Sequence, residues 1–471
     1  MLSKRINNII SEFNYRNVLG FTIFIYYISL IVFDYPFRDD LSRSYGGYVD
    51  LFLLGRPLAD TLYNIISFGL PVANISPLPK IISLALVICS SIIVYKYFFS
   101  SRGLVGAIAC FLFLSNPFIL QNFAYQYDSL PMTASILLTC IAACLNTKSL
   151  LTTFIIALSL LLMSLCLYQA SIIICACLVL CRIIKSVISN QSIKETISIG
   201  FVYTLAAIIA LTIYYLLVIN GNNQLTSRGG IAAVNGIISN YVFINDRLSD
   251  LYSWLWVYLI ALLPLLVLVV TLYYYNNGVG INALLVIPLL VLLFVLSLFP
   301  SLVLKEGFVG PRTLMAFSAF WIGISILLTS TFYTRIFCVL IYLLLMINSF
   351  MISFGFNGEL RAQQVRYSTV SNQVLNYTLS PINNDVKKVI VHNKLSKWKE
   401  EKNYIKMNKF IDWMNPEEAW AFRFYLRNHG EHRVVSDWSD SGGRIPGKRS
   451  DLDTIYFSSI RDNVTLHIIM K

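Results

Sequence analysis

Apolar residues come in long runs separated by short polar breaks, and eleven of these runs approach the roughly 20 residues a helix needs to cross a hydrocarbon core. They lie at 17–33, 80–99, 103–120, 130–146, 150–167, 169–185, 197–219, 254–274, 283–300, 313–329 and 336–353. The pairs that meet at Ser149 and at Tyr168 leave almost no loop, which predicts tight helical hairpins. Residues 58–72 are also apolar, but Asp60 and Asn64 interrupt them and Pro71 ends them, so an interfacial helix is predicted there. The texture changes after residue 353. Glu359 to Tyr377 reads as helix and Val389-Ile390-Val391 as a short strand. Asn415-Pro416 then supplies an N-cap and a first-turn proline for a helix to about Arg427. Val434-Val435, Thr454 to Phe457 and Val464 to Ile469 read as further strands. The pattern therefore predicts a polytopic α-helical membrane protein of about 11 transmembrane helices over 1–353, followed by a small C-terminal α/β domain at 354–471.

Composition agrees with this picture. Of 471 residues, 57% are hydrophobic and 13% charged, against about a quarter charged in a soluble domain. The first apolar run has no small-residue cleavage site and is expected to be retained as a helix. The net charge is +12, and eighteen of the 36 Lys and Arg lie beyond residue 354. Beside a membrane region, such basic residues suit anionic lipid headgroups or pyrophosphate-linked glycans better than nucleic acid. All nine cysteines fall inside apolar runs without His or acidic company, which argues for membrane packing and against a metal site.

Lys4, Arg5 and Arg16 precede the first run and favour a cytoplasmic N-terminus. Over all short loops the count is ten basic residues inside and eight outside, so charge bias alone barely decides the orientation. Eleven spans then place the C-terminal domain outside. The outer loops, at 34–79, 121–129, 220–253 and 301–312, hold most of the unusual chemistry.

The first of these loops carries Asp39 and Asp40 just past a membrane exit, with Arg38, Arg43 and Tyr45 nearby. Adjacent carboxylates resist joint ionisation, which raises one apparent pKa and suits a proton acceptor near neutrality. Such a pair could also hold a divalent cation against a phosphate. The bland alternative is a solvated loop whose acids face Arg38 and Arg43. In the second outer loop Tyr125, Tyr127 and Asp128 open a helix, offering aromatic faces and hydroxyls that suit a sugar ring or an interfacial belt. Tyr168-Gln169, at the next outer turn, could join the same site. Arg56, Arg228, Lys305 and Arg312 are candidate partners for a lipid phosphate, with Glu306 beside them. No Walker or dinucleotide fingerprint occurs, and an enzyme working outside the cytoplasm would need a lipid-bound donor rather than a nucleotide-sugar.

Four segments carry a resemblance. Phe37-Arg38-Asp39-Asp40, Gly55-Arg56-Pro57-Leu58, Tyr127-Asp128-Ser129-Leu130-Pro131-Met132 and Tyr168-Gln169-Ala170-Ser171 resemble, in order, the bacterial serotype-converting O-antigen glucosyltransferases of enteric bacteria and their phages. The likeness runs through the first 170 residues and is weaker around Arg312 and over the C-terminal part. It implies a C-type glycosyltransferase-like fold in the bacterial inner membrane. It also implies transfer of a sugar, commonly glucose, from undecaprenyl phosphate to a lipid-linked O-antigen on the periplasmic side, inverting the anomeric carbon and altering the lipopolysaccharide serotype. On this resemblance Asp39 or Asp40 is the base, and Arg56, Lys305, Arg312 and Arg228 hold the donor phosphate. Tyr125, Tyr127, Asp128, Tyr45, Tyr168 and Glu306 line the sugar or acceptor pocket. It further implies a small flippase and a cytoplasmic donor synthase as partners, beside membrane lipids. No cofactor is expected from the sequence, and the need for a divalent cation is left open. Two rival readings are a flippase for a lipid-linked glycan and an O-antigen polymerase. The first would place polar residues at the midplane of broken helices, and the second would carry a large outer loop between late helices.

Overall fold

In hydrocarbon a backbone must satisfy its own hydrogen bonds, so each long apolar run is committed to helix before any packing is considered. The computed structural model of the chain describes residues 2–69, 71–99, 103–220, 231–253, 255–304, 310–329, 332–435, 445 and 450–471, with side chains from Tyr15 onward except at 277, 278, 281, 332 and 333. Among the described residues nine helices are long and apolar enough to cross a membrane, or ten if one bent pair counts as a single span. The expected eleven differ from these at two places.

The run 103–120 is not one helix. It divides into Gly103–Leu114 and Pro117–Ala124, set 50° apart. Asn116 makes the break, because its side chain accepts from the N–H groups of Phe118 (3.0 Å) and Ile119 (3.2 Å). Pro117 follows at the first helical position, where its missing N–H costs nothing. The run 130–146 shortens to Ser129–Ala143, whose 15 residues rise about 22 Å at 1.5 Å each, short of a roughly 30 Å core. The sharp turn expected at Tyr168 is present, with Leu150–Leu167 passing directly into Gln169–Ile188, whereas at Ser149 a six-residue connection, Cys144 to Ser149, separates Ser129–Ala143 from Leu150–Leu167. The expected interfacial helix is the 10-residue Pro57–Ile66.

The boundary expected at 353 falls within a single helix, Phe332–Thr378, of 47 residues. At 1.5 Å per residue it runs about 70 Å, far more than a bilayer needs, and its second half becomes the stalk of the C-terminal unit. That unit has a four-stranded sheet of β1 (Lys388–His392), β2 (Leu452–Asp453), β3 (Phe457–Asp462) and β4 (Thr465–Met470), in the order β1-β4-β3-β2. β1 runs parallel to β4, and the other pairs are antiparallel. Val434 contributes one bridge to Val389 rather than a strand. The last helix begins at Ala419, not at Pro416. Asn415 is not its cap: it is buried and donates to Glu359 (2.6 Å) and Gln363 (3.1 Å) of the long helix.

Buried charge fixes the unit to its stalk. Arg366, with no exposed surface, donates two bonds to Glu401 (2.7 and 2.9 Å) and also reaches Glu417. The apolar core of the unit, built around Val389, Val391, Phe422, Leu466 and Ile468, also takes in Leu41 from the first loop. Thus the C-terminal unit is packed directly on the segment that carries the acidic pair.

Candidate active site

Arg38 adopts a left-handed backbone (φ 50°) and turns the chain into the helix Asp39–Gly46, which Gly47 ends, again left-handed. Two acids in a first turn favour this helix through its dipole. The two carboxylates then part company. Asp40 is fully buried. Its Oδ2 accepts from the backbone N–H groups of Phe37 and Gln126, both at 2.9 Å, and its Oδ1 from Tyr127 at 3.3 Å. It clamps the first loop to the second. Asp39 is half-buried, and its carboxylate has no hydrogen bond or ion pair among the described residues. It lies within electrostatic reach of Arg43, Arg312 and Tyr125.

Burial pushes the Asp40 carboxyl from an ordinary 3.8 up to about 7, against the opposing pull of the Gln126 and Phe37 N–H groups, Arg43 and Lys80. The rise comes from desolvation, not from shared ionisation with the adjacent acid as the sequence suggested. Between pH 4 and 7 the folded chain therefore keeps a proton here that the unfolded chain has lost. Stability from this group is full below about pH 4 and is lost as pH rises through about 7. The unfolding free energy of the wild type should thus fall more steeply from pH 5 to 8 than that of Asp40→Asn, by at most about 1.4 kcal/mol per pH unit. Parallel slopes in the two proteins would show that the group does not titrate.

Asp128, 1% exposed, is the hub of the cationic side. Arg43 Nη1 donates to its Oδ1 at 2.8 Å, and Arg56 Nη1 stands 3.7 Å from its Oδ2. Burial alone would raise the Asp128 pKa, but Arg43, Arg56 and Arg312 outweigh it and hold the carboxyl below the usual range. Asp128 is therefore a poor base, and Arg43, itself buried, is not the solvated loop residue that its position suggested. Burial draws the Arg56 guanidinium down, with Arg312 and Arg43 adding to the effect and Asp128 and Tyr168 opposing it.

Each remaining arginine lies over an aromatic ring: Arg56 over Tyr168 at 4.7 Å, and Arg312 over Tyr125 at 5.1 Å. Gln169 fastens the first of these, accepting from Arg56 Nε (3.4 Å) and donating to the carbonyls of Leu54 (2.9 Å) and Gly55 (3.1 Å). Gln121 fastens the second, accepting from the Arg312 N–H (3.1 Å) and donating to the Met414 carbonyl (2.8 Å). The structure therefore brings together Asp39, Arg56, Tyr125, Asp128, Tyr168 and Arg312, from segments far apart in sequence. Tyr127 stands to one side, its hydroxyl 3.4 Å from that of Ser44. Tyr45 belongs elsewhere, stacked under Arg427 at 4.1 Å and accepting from it at 2.7 Å. Arg228, Lys305 and Glu306 lie outside the described residues. Among the described residues no three His, Cys, Asp or Glu side chains are grouped to hold a metal ion.

Sequence reasoning missed the contacts that the C-terminal unit makes with the first loop. Arg38 donates to Glu418 at 2.5 Å and Asn428 to the Leu41 carbonyl at 2.9 Å. Nothing local in the sequence pairs residues 380 positions apart.

Among the described residues the guanidinium groups of Arg43, Arg56 and Arg312 gather around the Asp128 carboxylate, with the Asp39 carboxylate within their electrostatic reach and bonded to none of them. Such an arrangement can receive an anion and take a proton beside it. The family profile described as Glucosyl transferase GtrII matches residues 19–323, which contain all six of these residues. The chain is also 32% identical over 177 residues to an uncharacterized 55.3 kDa protein from the gtrB 5′ region of Salmonella phage P22. That match takes in 38% of this chain and spans only 36% of the length of the phage protein. No solved structure matches.

Proposed function

This chain belongs to the glucosyl transferase GtrII family and is a polytopic membrane glycosyltransferase, and from that premise we propose that it moves a glucosyl unit from undecaprenyl phosphate to a lipid-linked O-antigen repeat on the periplasmic side of the inner membrane. Membership in a family of transferases sets this reading above that of a glycan carrier. Asp39 takes the proton from an acceptor hydroxyl as that oxygen attacks the anomeric carbon. The bond from that carbon to the phosphate oxygen breaks on the opposite face, so configuration inverts. The electron pair leaves on the lipid phosphate, whose growing charge falls to Arg56 and Arg312. Tyr125 and Tyr168, each beneath one of these arginines, offer flat faces to the sugar. Arg43 and Asp128 hold the framework, and Asp40 joins the two loops.

The observation that carries this reading is the unspent Asp39 carboxylate beside an arginine cluster whose other acid, Asp128, is already committed. Purified protein given a nucleotide-sugar and acceptor should transfer nothing, and adding glucosyl phosphoryl undecaprenol should start transfer. Arg56→Ala should raise the KM for that donor about 10- to 100-fold, as loss of a charge-assisted bond of about 1.5–3 kcal/mol requires. Efficient turnover from the nucleotide-sugar would overturn the donor assignment.

A further inference from the structure

The C-terminal unit holds one face of the helix Asp39–Gly46. Arg38, Leu41 and Tyr45 recur at the three- and four-residue spacing that lines up one side of a helix. Each meets the helix Ala419–Asn428 or the residue before it. Leu41 enters the apolar core of the unit, and its carbonyl accepts from Asn428 Nδ2 at 2.9 Å. Tyr45 lies under the Arg427 guanidinium at 4.1 Å and accepts from it at 2.7 Å. Arg38 Nη2 donates at 2.5 Å to Oε1 of Glu418, which stands at the N-cap position of that helix. The first two contacts fix the helix without involving a carboxylate. The third neutralises an arginine.

The surroundings of Asp39 give that neutralisation a purpose. In a lone helix the natural partner of Asp39 is Arg43, one turn on, and Arg38 is its immediate neighbour. Neither is bonded to it. Arg43 is turned to Asp128 at 2.8 Å and Arg38 to Glu418, so an acid from elsewhere in the chain holds each arginine that flanks Asp39. Arg38 and Asp39 nonetheless share surroundings, since both act electrostatically on Tyr125. The side chains of the Arg38–Glu418 pair are only 11% and 20% exposed. The joint around them leaves a cavity of about 20 Å³, room for about one water. Bulk water would therefore screen the Arg38 guanidinium poorly if its partner were withdrawn.

We propose that Glu418 is a positioning residue for the transfer: by holding Arg38 it keeps that guanidinium off Asp39, and so leaves the Asp39 carboxylate able to take the proton of the acceptor hydroxyl. The inference rests on the reading of Asp39 as the base. Glu418 acts through Arg38 and not on the substrate. Without it, Arg38 turns to the carboxylate beside it in the chain, and a carboxylate bonded to a guanidinium is a weaker proton acceptor. The loss falls on kcat, because Arg56 and Arg312, which hold the donor phosphate, keep their own supports in Gln169 and Gln121.

The test reads kcat and donor KM with glucosyl phosphoryl undecaprenol in three variants of the full chain. Glu418→Gln, nearly the same size, should lower kcat by about tenfold or more while the donor KM stays within about twofold. Arg38→Gln breaks the same ion pair, yet it should keep kcat within about threefold of the wild type. The double variant Arg38→Gln/Glu418→Gln should regain that level, because the misplaced charge is gone. A tie that served only to hold the fold would make the two single variants equally damaging and leave the double no better. Equal losses in the two single variants, or full activity in a folded Glu418→Gln, would overturn the inference. The double variant strands no charge, so it decides the matter even where Glu418→Gln does not fold. Near-wild-type kcat in it supports the inference, and a loss of about tenfold rejects it. Asp39→Asn assayed alongside separates the two readings. An inactive Asp39→Asn beside a fully active Glu418→Gln rejects the role of Glu418 alone, whereas full activity in Asp39→Asn rejects the base and the inference with it.

Discussion

Asp39→Asn is expected to lower kcat by about 10²–10⁴-fold, the usual effect of losing a positioned base, with only a small fall in the thermal midpoint. The fall should be small because no N–H or cation among the described residues is bonded to the Asp39 carboxylate, and its share in the helix dipole is worth about 0.3–1 kcal/mol. The neighbouring substitution should behave in the opposite way. Asp40→Asn keeps an oxygen for the Phe37 and Gln126 N–H groups but turns an amide toward the N–H of Tyr127. It should lower the midpoint modestly and leave kcat within a few-fold. Asp40→Ala, which strands three buried donors at about 1–3 kcal/mol each, should be far less stable. The measurements are transferred glucose at equal protein and the midpoint in detergent. Full activity in Asp39→Asn, or a dead but fully stable Asp40→Asn, would reverse the roles given to the two acids.

Arg43→Ala should be among the most destabilising single changes in the chain, by about 3–5 kcal/mol, because it leaves a buried carboxylate short of its closest cation. Arg43 donates to Asp128 at 2.8 Å with both side chains nearly inaccessible, and Arg56, at 3.7 Å, is the nearest replacement. A residue that only solvated the loop would instead be expected to tolerate the change with mild effect. The double variant Arg43→Ala/Asp128→Asn removes the stranded charge and should recover much of the loss. A double-mutant cycle on unfolding free energy measures this directly. A coupling energy below about 0.5 kcal/mol, the scatter for independent sites, would mean that the two charges merely lie side by side. Activity need not return with stability, since Asp128 also sets the charge felt by Arg56.

Much of this protein could be read without coordinates. Nine helical runs, the sharp turn at Tyr168, and the short helix after Arg56 are all apparent in the order of apolar residues. The reason is local: apolar backbone in hydrocarbon has no partner but itself, so helix is settled segment by segment. The segments that form the site were legible too, since charge beside a membrane run needs a reason to be there. Their division of labour was not. Successive residues on a helix point about 100° apart, so two adjacent aspartates necessarily face different surroundings, and only the packing of the second loop decides which faces inward. The same holds for Arg43, whose partner lies 85 positions away, and for Leu41, which completes the core of a unit beginning more than 300 residues later. The bend at Asn116-Pro117 was written in the sequence but hidden within an apolar run of ordinary length. Sequence thus determined which segments enter the membrane and which polar residues stand at its edge. Tertiary structure decided which of those residues are spent on holding each other and that the Asp39 carboxylate is bonded to none of the described residues, because burial and pairing depend on neighbours that the chain supplies from afar.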